Sequence, residues 1–135
     1  MSRTYIDSGV LIAAARGTDS VSAKAQAILT EASRQFISSD LVRLEVIPKP
    51  SYFKRVAEVA YYQAFFAIVQ DWAAITPTLI QLALQRGSEF GLGAVDAVHV
   101  AAAELSQAQE FITSERPTSP ICRVTTVSVV SLQTP

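Results

Sequence analysis

The chain's 135 residues suit one compact domain spanning 1–135, and half of them are hydrophobic against 17% charged, enough for a large core with apolar surface left for a partner. Eleven basic against twelve acidic side chains give a net charge of −1, which excludes a uniformly basic nucleic-acid coat but leaves room for a local basic patch. The lone Cys122 excludes an internal disulfide framework, and apolar runs of at most about six residues exclude a membrane span, so a cytoplasmic protein without membrane association is expected.

Turn signals divide the chain into short strands and longer helices. Tyr5 and Ile6 form a β-prone pair, and Asp7 or Ser8 then caps a helix over residues 9–15. The apolar stretch at 10–15 is not expected to act as a leader peptide, because the charged Asp7 stands just ahead of it. After a turn at 17–20, Ala25, Ile28, Leu29 and Ala32 show helical spacing over 21–32. Residues 35–38 read as a second strand, and Ser39 caps a helix that Pro48 and Pro50 stop. A longer helix spans 56–71, followed by a strand at 72–75. Thr76 and Pro77 then open a helix that runs to Phe90 and ends at Gly91. A helix at 94–106, a strand at 110–113 and a fifth strand within 124–130 complete the pattern. Strands alternating with helices predict an α/β fold with a mostly parallel sheet of four or five strands, covered on both faces.

In such sheets ligands gather beyond the carboxyl ends of the strands. Asp7 ends the first strand and Glu115 lies just past the fourth. Helical spacing sets Glu45 beside Leu41 and Val42, on a side expected to face the core. Asp96 belongs to a run from Ala94 to Ala103 that is apolar almost all round, so that helix is expected to be buried. Taken singly, Asp7 reads equally well as a helix cap, and Glu45 and Glu115 as solvated charges. Asp96 is the hardest to explain that way. Buried carboxylates are costly unless paired, and Arg43, close to Glu45 in sequence, points elsewhere on its helix. A divalent cation resolves both the burial and the mutual repulsion, and oxygen ligands suit Mg²⁺ or Mn²⁺.

These segments resemble the motifs of the PIN-domain family. Residues 5–11 (Tyr5-Ile6-Asp7-Ser8-Gly9-Val10-Leu11) resemble its opening strand, and residues 38–46 its helix-borne Glu. Residues 93–103 are similar to the third motif, where an Asp precedes a His by three positions. Residues 111–115 are similar to the fourth, a strand ending in Thr with an acid two residues on. The family usually has Asp where this chain has Glu115. The resemblance, closest to toxin-like ribonucleases of the VapC class, implies a three-layer α/β/α fold. It also implies metal-dependent hydrolysis of phosphodiester bonds in single-stranded RNA, with Mg²⁺ or Mn²⁺ as cofactor. Asp7, Glu45 and Asp96 are carried over as metal-binding acids, with Glu115 completing the site.

Ser8 and Thr113 are expected to steady carboxylates or water by hydrogen bonds. His99, the only histidine, lies one turn after Asp96 and is read as structural, bonded to backbone. Lys49, Lys54 and Arg55, with Arg16 and Arg116, are candidate phosphate contacts. Seven of the eleven aromatics lie between Tyr52 and Trp72, and packing is the expected use of most. In the helix at 56–71 one stripe holds Tyr62, Phe66 and Val69, and another Tyr61, Phe65, Ile68 and Trp72. One is expected to face the core and the other a partner, either a second copy of the chain or a small antitoxin. The competing expectation is a catalytically degenerate PIN domain that binds RNA or protein without cutting.

Overall fold

The structure, a computed structural model, describes residues 2–134. Five strands, β1 (Ser2–Ile6), β2 (Arg34–Ser39), β3 (Asp71–Ala73), β4 (Glu110–Thr113) and β5 (Ser128–Ser131), form one sheet. Its order is β3-β2-β1-β4-β5, and every neighbouring pair is parallel. The helices are α1 (Ser8–Arg16), α2 (Ser20–Leu29), α3 (Asp40–Val46), α4 (Pro48–Tyr52), α5 (Val56–Ile68), α6 (Pro77–Phe90) and α7 (Ala94–Leu105). A 3₁₀ turn at Pro120–Arg123 leads toward β5.

Parallel crossovers are right-handed, because a right-twisted strand feeding a right-handed helix returns to the sheet only that way. β1, β2 and β3 step toward one edge while β4 and β5 step toward the other, so α1–α5 cover one face and α6–α7 the opposite one. Contacts agree with this assignment. Phe36 of β2 meets Phe65 of α5 with ring centroids 5.4 Å apart. Tyr5 pairs with Ile37, the neighbour of Phe36, so its side chain lies on the other face, 5.7 Å from the ring of His99 on α7. The expected three-layer α/β/α fold is present, with an entirely parallel five-stranded sheet. Both faces are covered, so Thr4, Tyr5, Ile6, Phe111 and Ile112 are all buried without alternation.

Strong local signals set α6. Thr76 Oγ1 accepts from Leu79 N at 3.1 Å, and Pro77 occupies the first turn. Gly91 leaves the helix at φ 68°, a conformation that favours glycine. Elsewhere tertiary pairing moved the expected boundaries. α5 stops at Ile68 rather than 71, because Gln70 N donates to Phe36 O at 3.0 Å and Asp71 already pairs in β3. That pairing also draws the third strand from 72–75 back to 71–73. α2 ends at Leu29 instead of 32, where Glu31 N bonds Ile28 O at 3.1 Å in a tight turn. Pro48 ends α3 but also opens α4, since proline needs no hydrogen-bond partner in a first turn. The last strand keeps only the end of its expected range, because Val124 and Val127 are buried in the core ahead of it.

In α5 the stripe of Tyr62 and Phe66 faces the core, joined by Phe65, while Tyr61, Ile68 and the following Trp72 stay partly exposed. Packing does not account for Tyr52 and Phe53, which are 79% and 58% exposed at the corner between α4 and α5.

Candidate active site

The strand order reverses between β1 and β4, and in open parallel sheets the crevice that takes ligands lies beyond the carboxyl ends of the strands at such a point. Alternation along the strands brings Tyr5 and Asp7, Ile37 and Ser39, and Phe111 and Thr113 to one face of the sheet. α7 lies over that face and contributes Asp96 and His99. α3, which springs directly from β2, contributes Glu45.

Asp7 is buried at the start of α1, yet its side chain makes no capping hydrogen bond. Its Oδ2 instead accepts from Thr113 Oγ1 at 3.0 Å, and the same Thr113 oxygen accepts from Glu115 N at 3.1 Å. The cap reading of Asp7 therefore fails, and a buried carboxylate faces the crevice. Burial pushes its pKa up, while His99 and the Thr113 hydroxyl pull against that. The Asp96 carboxyl is also raised, first by burial, then by the negative charges of Asp7, Glu115 and Glu45. Among the described residues Asp96 has no hydrogen bond and no ion pair. The acids expected from sequence thus share one electrostatic neighbourhood.

Two expectations about burial are corrected. Glu45 does not face the core: Val42 and Val46 take the buried side of α3, and Glu45 sits at the rim with its side chain 29% exposed. α7 is not buried throughout, because its first turn is open, with Val95 exposed and Asp96 half-buried. Burial begins at Ala97. Ser8 is buried, and among the described residues its hydroxyl makes no hydrogen bond to a carboxylate, whereas the Thr113 hydroxyl donates to Asp7. Arg43 turns away from Glu45 as expected, bonding Asp40 at 3.1 Å with its guanidinium 5.9 Å from the Trp72 ring centroid.

His99 departs most from expectation. It is fully buried and bonded to side chains rather than backbone. Its Nδ1 lies 2.7 Å from the Tyr5 hydroxyl, its Nε2 2.5 Å from Glu45 Oε1 and 4.0 Å from Asp7 Oδ1. The Tyr5 hydroxyl also meets Ser39 Oγ at 2.9 Å. Tyr5 lies two residues before Asp7, so the strand period was the signal that both share a face.

Arg16, Lys49 and Arg55 surround one cleft with Phe53, but Glu58 lies among them, 3.7 Å from Arg16 and 3.8 Å from Arg55. Two of these cations are therefore partly neutralised, and Glu58 is an acid the sequence reading missed. Lys54 borders a neighbouring cleft, and Arg116 is exposed beside Glu115.

Among the described residues no three His, Cys, Asp or Glu side chains stand as a ready-made metal cage. The donor set still fits a hard divalent cation. Mg²⁺ keeps several of its waters and takes only one or two carboxylates directly. Among the described residues the Asp96 side chain makes no hydrogen bond, and Thr113 engages only the Oδ2 atom of Asp7.

The sequence model of the PIN domain matches residues 4–117. No curated protein matches the chain. Among solved structures it is similar to a toxin–antitoxin complex from Klebsiella pneumoniae, at 18% identity and a TM-score of 0.76 over 96% of this chain and 98% of that one. VapBC2 from Rickettsia felis, bound to a DNA fragment of its promoter, aligns at 12% identity and a TM-score of 0.72, with the same coverage of 96% and 98%. VapC20 of Mycobacterium tuberculosis, described as a Sarcin-Ricin loop cleaving toxin, aligns at 18% identity and 0.57 over 80% and 86%.

Proposed function

Because this chain belongs to the PIN-domain family, we propose that it is a Mg²⁺- or Mn²⁺-dependent ribonuclease that hydrolyses phosphodiester bonds of single-stranded RNA. The observation that carries this reading is that the charges of Asp7, Glu115 and Glu45 all act on Asp96, whose side chain makes no hydrogen bond among the described residues. In such a cluster each carboxylate raises the cost of ionising the next, and bound positive charge is what makes the ionised set stable.

Asp7 and Asp96 would hold the ion, with Glu45 beside them and Glu115 at the fourth corner. A bound divalent cation supplies charge to offset the phosphoryl oxygens and makes water more acidic. The chain's own groups do the positioning. Thr113 holds one oxygen of Asp7 and leaves the other toward the crevice. Arg116 beside the site, with Arg16, Lys49, Lys54 and Arg55 farther along the surface, would hold the phosphate backbone without reading bases. The similarity to a Sarcin-Ricin loop cleaving toxin supports cleavage of RNA. The similarity to toxin–antitoxin complexes supports a small antitoxin as partner of a cytoplasmic toxin.

One observation favours the degenerate, non-cutting alternative: no ready cage of three ligands is present among the described residues. A single experiment separates the two. With Mn²⁺ the wild-type chain is expected to cleave single-stranded RNA, EDTA to stop it, and Asp96→Asn to lower kcat by at least about a hundredfold, a typical cost of losing charge stabilisation at the reacting phosphate. Circular dichroism should show the variant folded. An Asp96→Asn protein as active as wild type would remove the nuclease assignment, and a wild-type protein that neither cuts RNA nor gains thermal stability with Mn²⁺ would establish the binding module.

A further inference from the structure

The residues joining Glu45 to the sheet interior form a continuous buried chain that the acid cluster alone does not require. Ser39, Tyr5 and His99 are each 0% exposed, and their polar atoms follow one another at 2.9 and 2.7 Å before His99 reaches Glu45 at 2.5 Å. Its direction follows from chemistry. The Glu45 carboxylate only accepts, so His99 Nε2 carries the hydrogen that points to it. Whenever His99 is neutral, Nδ1 is the acceptor, so the Tyr5 hydroxyl donates to it and Ser39 donates to Tyr5. Burial raises the Tyr5 pKa well beyond the usual phenol range, which keeps that hydrogen in place. The Tyr5 ring is itself clamped, stacked on Phe111 with centroids 5.4 Å apart and planes 14° from parallel.

Glu45 is otherwise free to move. It sits on the rim of a seven-residue helix, and among the described residues His99 is its only hydrogen-bond partner. A glutamate side chain at a helix rim samples several rotamers, and ordering it costs conformational entropy. A rigid donor anchored in the core removes that freedom before any ligand arrives.

We propose that His99 is a positioning residue: held by Tyr5 and Ser39, it grips one oxygen of Glu45 and presents the other to the crevice between Asp7 and Asp96. The role rests on the metal-dependent reading of those acids, and it acts on Glu45 rather than on substrate.

The test uses two replacements that reach different distances. The amide of Asn sits where Nδ1 does and meets Tyr5 but stops short of Glu45. The amide of Gln extends to the Nε2 position and can donate to Glu45. His99→Asn should weaken Mn²⁺ binding in the absence of RNA about tenfold, as loss of a group that orients a ligand commonly does. It should lower kcat by a similar factor with KM little changed. His99→Gln should recover most of both, and Tyr5→Phe, which cuts the anchor while keeping the ring packing, should fall between. If His99→Asn is too unstable to purify, the Tyr5→Phe and His99→Gln pair carries the same comparison. Equal losses in Asn and Gln variants, or unchanged Mn²⁺ affinity in a folded His99→Asn protein, would overturn the positioning role while Asp96→Asn remains inactive. A wild-type chain that neither binds Mn²⁺ nor cuts RNA removes the underlying reading, and the positioning role with it.

Discussion

Asp7 and Asp96 carry the same carboxyl group in surroundings that differ in a measurable way. Asp7 is buried but has Thr113 and His99 to offset the loss of water, whereas Asp96 is less buried and has only other acids and His99 within electrostatic reach. Both are raised above the ordinary value of 3.8, so the folded chain retains protons that the unfolded chain has released. A folded state that binds more protons loses relative stability as pH rises from the unfolded value through the folded one. The penalty is therefore absent in acid and fully present above the raised values. In EDTA at pH 7, Asp96→Asn should melt roughly 2–4 °C above wild type, the scale of a modest stability change in a domain this size. The gap should close below about pH 4, where both proteins carry a neutral side chain. Scanning calorimetry across pH checks this, and parallel melting curves at every pH would show that ionised Asp96 is at no disadvantage. These residues were legible because carboxylates in apolar runs are conspicuous. His99 was misassigned because a sequence shows its helical neighbours, not the Tyr5 hydroxyl and Glu45 oxygen that reach it from other elements.

Among the elements, α1 shows how local preference yields to close approach. Gly9 lies within the helix, where glycine costs about 1 kcal/mol relative to alanine. A Cβ at that position would stand 2.3 Å from Ser114 Oγ, so a larger residue there requires the Ser114 hydroxyl to turn aside. Beside that contact Asp7, just past β1, accepts a hydrogen bond from Thr113 at the end of β4. Gly9→Ala should gain about 0.5–1 kcal/mol of unfolding stability in a Ser114→Ala background, where the helix preference acts unopposed. In the wild-type background the gain should vanish or reverse, because Ser114 must rotate away. A double-mutant cycle by urea denaturation reads the coupling, and additive effects would show that the contact imposes no constraint. α6 was read from the sequence with both ends correct because Thr76, Pro77 and Gly91 act locally. The ends of α5 and β3 were not, because backbone pairing with β2 decided them, and that partner lies more than thirty residues earlier.

At the scale of the whole molecule, apolar side chains outnumber the places the core has for them. Leu44, Ile75, Ile80, Leu84 and Val95 are each more than 40% exposed, and they border two adjoining grooves that share Ala94 and Val98. Among the described residues no helix is long and apolar enough to cross a membrane. If this strip, rather than the α5 stripe expected from sequence, joins two copies of the chain, Leu84→Glu should shift sedimentation toward the monomer at micromolar concentration without altering the circular dichroism spectrum. A variant that associates like wild type would place the contact elsewhere. The sequence by itself determined the alternation of strands and helices, the parallel character of the sheet and the identity of the unusual acids, because periodicity, caps and conspicuous charges are properties of neighbouring residues. Only the tertiary structure decided that Asp7, Glu45 and Glu115 fall within electrostatic reach of Asp96, that Glu58 tempers the basic cleft and that His99 bonds Glu45. Each of those depends on strand order and crossover hand, which bring together groups that no spacing along the chain relates.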